Sequence, residues 1–230
     1  MPNFGYENPT NISGASPEPP EDKVFRIVRE TWAKYADCII TYDMLLGAGC
    51  DRDVLEKYGT LEELYDAVVA DIIERIGIAY APITEDARNY MAGTEKTRDL
   101  GMQKLERLLY LHTYLCIHPK NRTYVLLCSQ EDHLPAEYRE DIAKAVEKNF
   151  MSVLTAMILE VSEVKNSQTA ALLACSAIGS INTYIQQPEL VKWTFRDATR
   201  LDPNYSVIED YMNNIILRSV WANTSINKPF

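Results

Sequence analysis

The sequence predicts an all-α fold of about nine helices, the first of them short. Apolar residues recur every three or four positions from Asp22 to near the end of the chain, the period of helices with one buried face. No stretch alternates convincingly as a strand, and neither a hairpin turn nor an internal repeat is present. Glycine and proline punctuate the pattern: Gly59 stops one periodic stretch, Pro119 breaks another and Pro135 opens a third.

The elements follow in order. Residues 1–21 are rich in Pro, Asn and Ser, lack Lys and Arg, and are expected to form a disordered tail. From Asp22, Val24, Ile27, Val28, Thr31, Trp32 and Tyr35 mark the inner face of a helix, with Arg26, Arg29, Glu30 and Lys34 outside. A short segment from Ile40 to Leu46 ends at Gly47-Ala48-Gly49, a tight turn. A second short helix, Arg52 to Tyr58, stops at Gly59. Thr60 and Glu63 form a capping box that opens a helix from Leu61 to about Ile78. Pro82 and Thr84 restart the chain in a polar stretch, where Gly93 and Gly101 are weak points.

The next helix, about Leu100 to Ile117, carries Leu105, Leu108, Leu109, Leu111 and Leu115. Tyr124 to Cys128 reads as a short helix. Pro135 lies in the first turn of the longest one, which runs to about Val164 with Ile142, Val146, Phe150, Val153, Leu154, Met157 and Val161 on one face. Asn166 to about Tyr184 is crowded with small residues, and Ser206 to Ala222 is the last apolar helix.

Composition excludes several classes. With 47% apolar and 24% charged residues, the chain has the makings of a packed core. No apolar run approaches the roughly 20 residues of a membrane span, and the N-terminus lacks the basic and apolar regions of a secretory signal. Five widely spread cysteines with no Cys-x-x-Cys pair suit free thiols, so a cytoplasmic location is expected. The net charge of −10 repels polyanions, and a nucleic-acid binder with this balance must concentrate its cations on one small surface. No Ser-His-Asp ordering, P-loop, dinucleotide fingerprint or HExxH is present, so neither catalysis nor a cofactor is expected. His112, Cys116 and His118 invite a metal reading. Only His112 and Cys116 share a helix face, however, and ordinary core or pocket roles are expected for them.

Helix, short helix, glycine turn, short helix and long capped helix is the layout of a helix-turn-helix unit. The run from Leu46 to Leu64, with Val54, Tyr58, Gly59, Thr60, Glu62, Glu63 and Leu64 at matching places, resembles the signature of the TetR/AcrR family of transcriptional regulators. The segment opened by Pro135 and the two terminal helices resemble that family's body. Departures accompany the match. Leu61 stands where a Lys is usual, and Asp51 and Asp53 replace small residues of the recognition helix. The segment before the glycine turn is short. Residues 23–64 hold six basic and eight acidic side chains, a local net of −2.

The resemblance implies a head at 22–64 and a ligand-binding and dimerisation body at 65–230. It implies a ligand-responsive regulator that binds DNA as a homodimer, with an unknown small-molecule effector and no membrane partner. A DNA-free adaptor of the same fold is the alternative. Arg52, Lys57, Tyr58 and Thr60 are the candidate DNA contacts. Tyr110, Tyr114, Phe150 and Met157 are the candidate pocket wall, as rings and thioethers on the helices that surround the family's cavity. Ala170, Ala174, Ala177, Tyr211 and Ile215, on the two last helices, are the candidate dimer contacts.

Overall fold

The computed structural model describes residues 18–35, 39–117, 121–162, 164–186 and Arg218. Its elements are α1 (Pro20–Lys34), α2 (Tyr42–Gly47), α3 (Arg52–Lys57), α4 (Leu61–Ala92), α5 (Arg98–Ile117), α6 (Arg122–Ser129), α7 (Ala136–Val146), α8 (Ser152–Val161) and α9 (Ser167–Gln186). A π turn over Glu147–Met151 joins α7 to α8 without a break, so these nine labels describe eight continuous helices. Among the described residues there is no strand. Apart from Arg218, the predicted helix at 206–222, with Tyr211 and Ile215, lies outside the described residues, as does the tail up to residue 17.

The short N-terminal elements are held by local chemistry. Thr41 and Asp51 cap α2 and α3 by accepting from the amides of Met44 and Asp53. After α2 the chain turns at Gly49, whose φ of 82° places it in the left-handed region. There the amides of Cys50 and Gly49 return to the carbonyls of Leu45 and Leu46, which satisfies the end of the helix. Thr60 and Glu63 cap α4 reciprocally, as their spacing predicts.

The expected break near Pro82 does not occur. Helix α4 continues through it for 32 residues in all. Pro82 is exposed, as is Ile78, whose carbonyl loses the amide that the proline lacks, so the missing bond falls on the solvent side of the helix, where it costs least. Ile83, Thr84, Ala87 and Tyr90, all buried, carry the helix onward.

The hydrophobic interior has two lobes. The first packs Val24, Val28 and Trp32 of α1 with Leu45, Leu55, Leu64, Val68 and Ile72, and also with Leu127, Leu134, Tyr138 and Ile142 from later in the chain. Residues assigned to a separate head therefore share a core with α6 and α7. The second lobe packs α5, α8 and α9 with the end of α4, through Leu105, Leu109, Phe150, Leu154, Met157 and Ile181. The π turn connects the lobes. α7 presents Tyr138, Ile142 and Ala145 to the first, and α8 presents Val153, Leu154 and Met157 to the second. The wider turn re-phases the apolar stripe between them. Its loosened carbonyls find side-chain donors: Asn149 Nδ2 to Ala145 at 2.8 Å and Arg88 Nη2 to Lys148 at 3.2 Å.

Arg29 departs from its expected place on the outer face of α1. It is 6% exposed and ion-paired with Asp71 of α4, and its guanidinium lies 4.9 Å from the ring centre of Tyr124 on α6. A buried cation needs such company, and a partner distant in sequence is what the spacing along α1 does not reveal.

Candidate functional site

A cavity of about 390 Å³ lies where the two lobes meet, a size within the range of small-molecule sites. One face of α4 supplies Arg75, Ile76, Ala79 and Tyr80. His112, Leu115 and Cys116 come from α5, Tyr124, Val125 and Cys128 from α6, Val146 from α7, and Ile178 and Asn182 from α9. Residues one helical turn apart recur in this wall (His112 and Cys116, Tyr124 and Cys128, Ile178 and Asn182), so each helix turns one narrow stripe inward. Ile78, 65% exposed, stands in the wall as well as in solvent and so marks the mouth.

The polar part of the wall includes a short relay, besides Arg75, Asn121, Tyr124 and Asn182. The Tyr80 hydroxyl lies 2.7 Å from His112 Nδ1, and Cys116 Sγ lies 3.4 Å from His112 Nε2. Phe150, delivered by the π turn, stacks on both rings from behind, with centroids 4.6 Å from Tyr80 and 4.5 Å from His112. Burial pushes the His112 pKa down to about 3, so the ring is neutral at physiological pH. The same desolvation holds the Tyr80 hydroxyl and the Cys116 thiol well above their usual values and pushes Cys128 up to about 12. A neutral imidazole beside a protonated thiol is not an activated nucleophile. The arrangement offers hydrogen bonds without charge.

Arg75 is the one charged side chain among the described lining residues, and its Nε donates to Asp71 at 2.8 Å. The other carboxylate oxygen of Asp71 takes Arg29 of α1. Tyr124, which lies against Arg29, is itself part of the wall. One contact therefore runs directly from α1 to the cavity wall, Arg29 to Tyr124, and a second reaches it through Asp71.

The residues anticipated from sequence are placed as follows. Arg52 is exposed at the start of α3 and has no ion pair among the described residues. Lys57 pairs with Glu21 of α1 at 2.9 Å, and Tyr58 donates its hydroxyl to the same carboxylate. These two hydrogen bonds, Tyr58's first, hold the Glu21 carboxyl below its ordinary range. Thr60 is committed to the α4 cap.

Tyr110 and Tyr114 sit on the outward side of α5, 36% and 42% exposed, and Phe150 and Met157 are buried in the second lobe. None of the four is among the residues lining the cavity. Ala170, Ala174 and Ala177 are at most 1% exposed and pack into the second lobe of the same chain. Their small size serves the close approach of α9 to α8, so they are not available to a second copy.

Among the polar lining residues, Arg75, Tyr80, Asn121, Cys128 and Asn182 carry no signal in the sequence that points to a cavity. The pair His112 and Cys116 is visible at its i, i+4 spacing, and the core or pocket role expected for it over a metal site agrees with its place in the wall. No cluster of three or more metal-ligating side chains exists among the described residues, and His118 lies outside them.

Fold and site together define an all-α protein with a small-molecule-sized, largely apolar cavity between two packed lobes. No protein-family model matches the chain, and no curated protein matches it with significance. Among the described residues, no helix is long and apolar enough to cross a membrane.

Proposed function

We propose that this chain is a ligand-responsive regulator of the kind its resemblance to TetR/AcrR proteins implies, with the cavity as effector site and α1–α3 as output. One observation carries the reading: Asp71 grips Arg29 of α1 with one oxygen and Arg75 of the cavity wall with the other. A ligand that moves Arg75 or Tyr124 perturbs the surroundings of a buried cation in α1. Buried ion pairs tolerate such disturbance poorly, which gives the ligand differential affinity for two positions of α1. DNA, bound by a homodimer, is the output that the resemblance implies, with Arg52 as its leading contact.

A second reading has its own support. Between residues 50 and 60 the exposed charges are Asp51, Asp53 and Glu56 against Arg52 and Lys57, and Lys57 is already paired with Glu21. Such a surface repels phosphates and suits a basic protein partner, as in an adaptor of the same fold. Retention of pooled genomic DNA by the full chain at about 0.05 M and about 0.15 M salt separates the two readings. The DNA reading expects binding at both, weaker at the higher salt. The absence of binding at both leaves the adaptor.

A further inference from the structure

The wall of the cavity carries a definite chemical preference. Its aliphatic part, Ile76, Ala79, Leu115, Val125, Val146 and Ile178, accepts an apolar skeleton. Beside Arg75, Asn121, Tyr124 and Asn182, its polar part holds the chain Tyr80–His112–Cys116, in which both imidazole nitrogens have a neighbour. A neutral imidazole has one N–H and one bare nitrogen, so the three groups share protons in one of two ways. If Nδ1 accepts from the Tyr80 hydroxyl, Nε2–H points at Cys116 and the phenol oxygen keeps lone pairs for an incoming donor. If Nδ1–H donates to the phenol oxygen, the Cys116 thiol donates to Nε2 and the Tyr80 O–H is left for an incoming acceptor. Either way the relay itself offers one hydrogen bond of adaptable polarity and carries no charge. Arg75 gives its Nε to Asp71 and stands on a side chain that is 46% exposed, on the solvent side of the wall, where its charge is screened. An ion pushed against the relay loses its hydration for one hydrogen bond, which is unfavourable.

Resting on the reading of the cavity as an effector site, we infer that its ligand is an uncharged, largely apolar molecule. It carries one hydroxyl or keto oxygen, which docks on the Tyr80–His112–Cys116 relay. Ionised acids and amines are excluded.

Isothermal titration of the full chain with 2-naphthol, naphthalene and 2-naphthoate tests this directly. The expected order is 2-naphthol tightest, by roughly fivefold over naphthalene, the worth of one net hydrogen bond. 2-Naphthoate comes last. Tyr80→Phe should erase the advantage of 2-naphthol and leave naphthalene unchanged, and Val125→Trp, which fills the cavity from its own wall, should abolish all binding. Equal affinity for 2-naphthol and naphthalene, a preference for 2-naphthoate, full 2-naphthol affinity in Val125→Trp, or no binding of any probe overturns the inference. The first two outcomes leave the cavity as an effector site and remove only the proposed ligand class.

Discussion

Arg29, buried on α1, forms an ion pair with the largely buried Asp71 on α4, although 42 residues separate them in sequence and they belong to different parts of the expected architecture. Because Asp71 also holds Arg75 one turn further along α4, a single carboxylate joins the N-terminal helices to the cavity wall.

Removing that carboxylate's charge should be costly. Asp71→Asn leaves Arg29 buried without a counter-charge, with an expected loss of about 3–5 kcal/mol in urea unfolding. Arg75→Gln breaks a pair that is half exposed on the arginine side, and should cost less than about 1 kcal/mol. Equal losses in the two variants would mean that the inner pair has no special weight.

Two glycines should respond in opposite directions to alanine. Gly101 reads as a weak point in sequence, yet a Cβ there would run into the Tyr90 hydroxyl and Val161 Cγ1. Gly101→Ala should therefore destabilise by about 1–3 kcal/mol through overpacking, despite alanine's better helix propensity. In α9, Gly179 has open space at its Cβ position, so Gly179→Ala should stabilise by about 0.5–1 kcal/mol. Thermal unfolding of the two variants is the check.

Most helix starts and stops were legible because they depend on neighbours in sequence: the Thr60–Glu63 box, the turn at Gly49 and the stop at Gly59 are local chemistry. The cavity was not, for three physical reasons. Ending the helix near Ile78 left Tyr80 in an expected loop, whereas α4 passes Pro82 on its solvent side and aims Tyr80 inward. The π turn shifts the helical phase at 147–151, and periodicity cannot anticipate that shift, so Phe150 backs the wall instead of lining it. A third obstacle is that a tyrosine's amphipathic ring gives the same signal on either face of a helix, and Tyr110 and Tyr114 face out. The neutral state of His112 and the burial of Arg29 depend on partners far along the chain.

The buried imidazole makes stability depend on pH. The folded-state pKa of His112, about 3, lies below its ordinary 6.5, so the unfolded chain takes up the proton first and stability falls as pH drops below about 6.5. Between pH 6.5 and pH 5 this one residue should remove about 2 kcal/mol. His112→Gln, which cannot titrate, should lose that much less over the same interval in urea titrations. Parallel profiles for the two proteins would contradict the assignment.

On the DNA reading, the α1–α3 surface is held back by its own carboxylates. Glu21→Gln releases Lys57, which should strengthen binding across all sequences and steepen the salt slope by about one unit, while Arg52→Ala should flatten it by about one. Asp53→Gly should leave affinity unchanged or improved. Gel-shift titrations over a salt series measure all three, and on the adaptor reading none of the proteins binds DNA at about 0.15 M salt.

The central claim, that cavity occupancy is felt in α1, is tested most directly by hydrogen–deuterium exchange of the full chain with and without saturating 2-naphthol. The contacts of Arg29 with Asp71 and Tyr124 predict altered protection in α1 (Pro20–Lys34) together with the cavity-lining parts of α4, α5 and α6. Exchange in α1 that superimposes under the two conditions, with changes confined to the cavity wall, would contradict it.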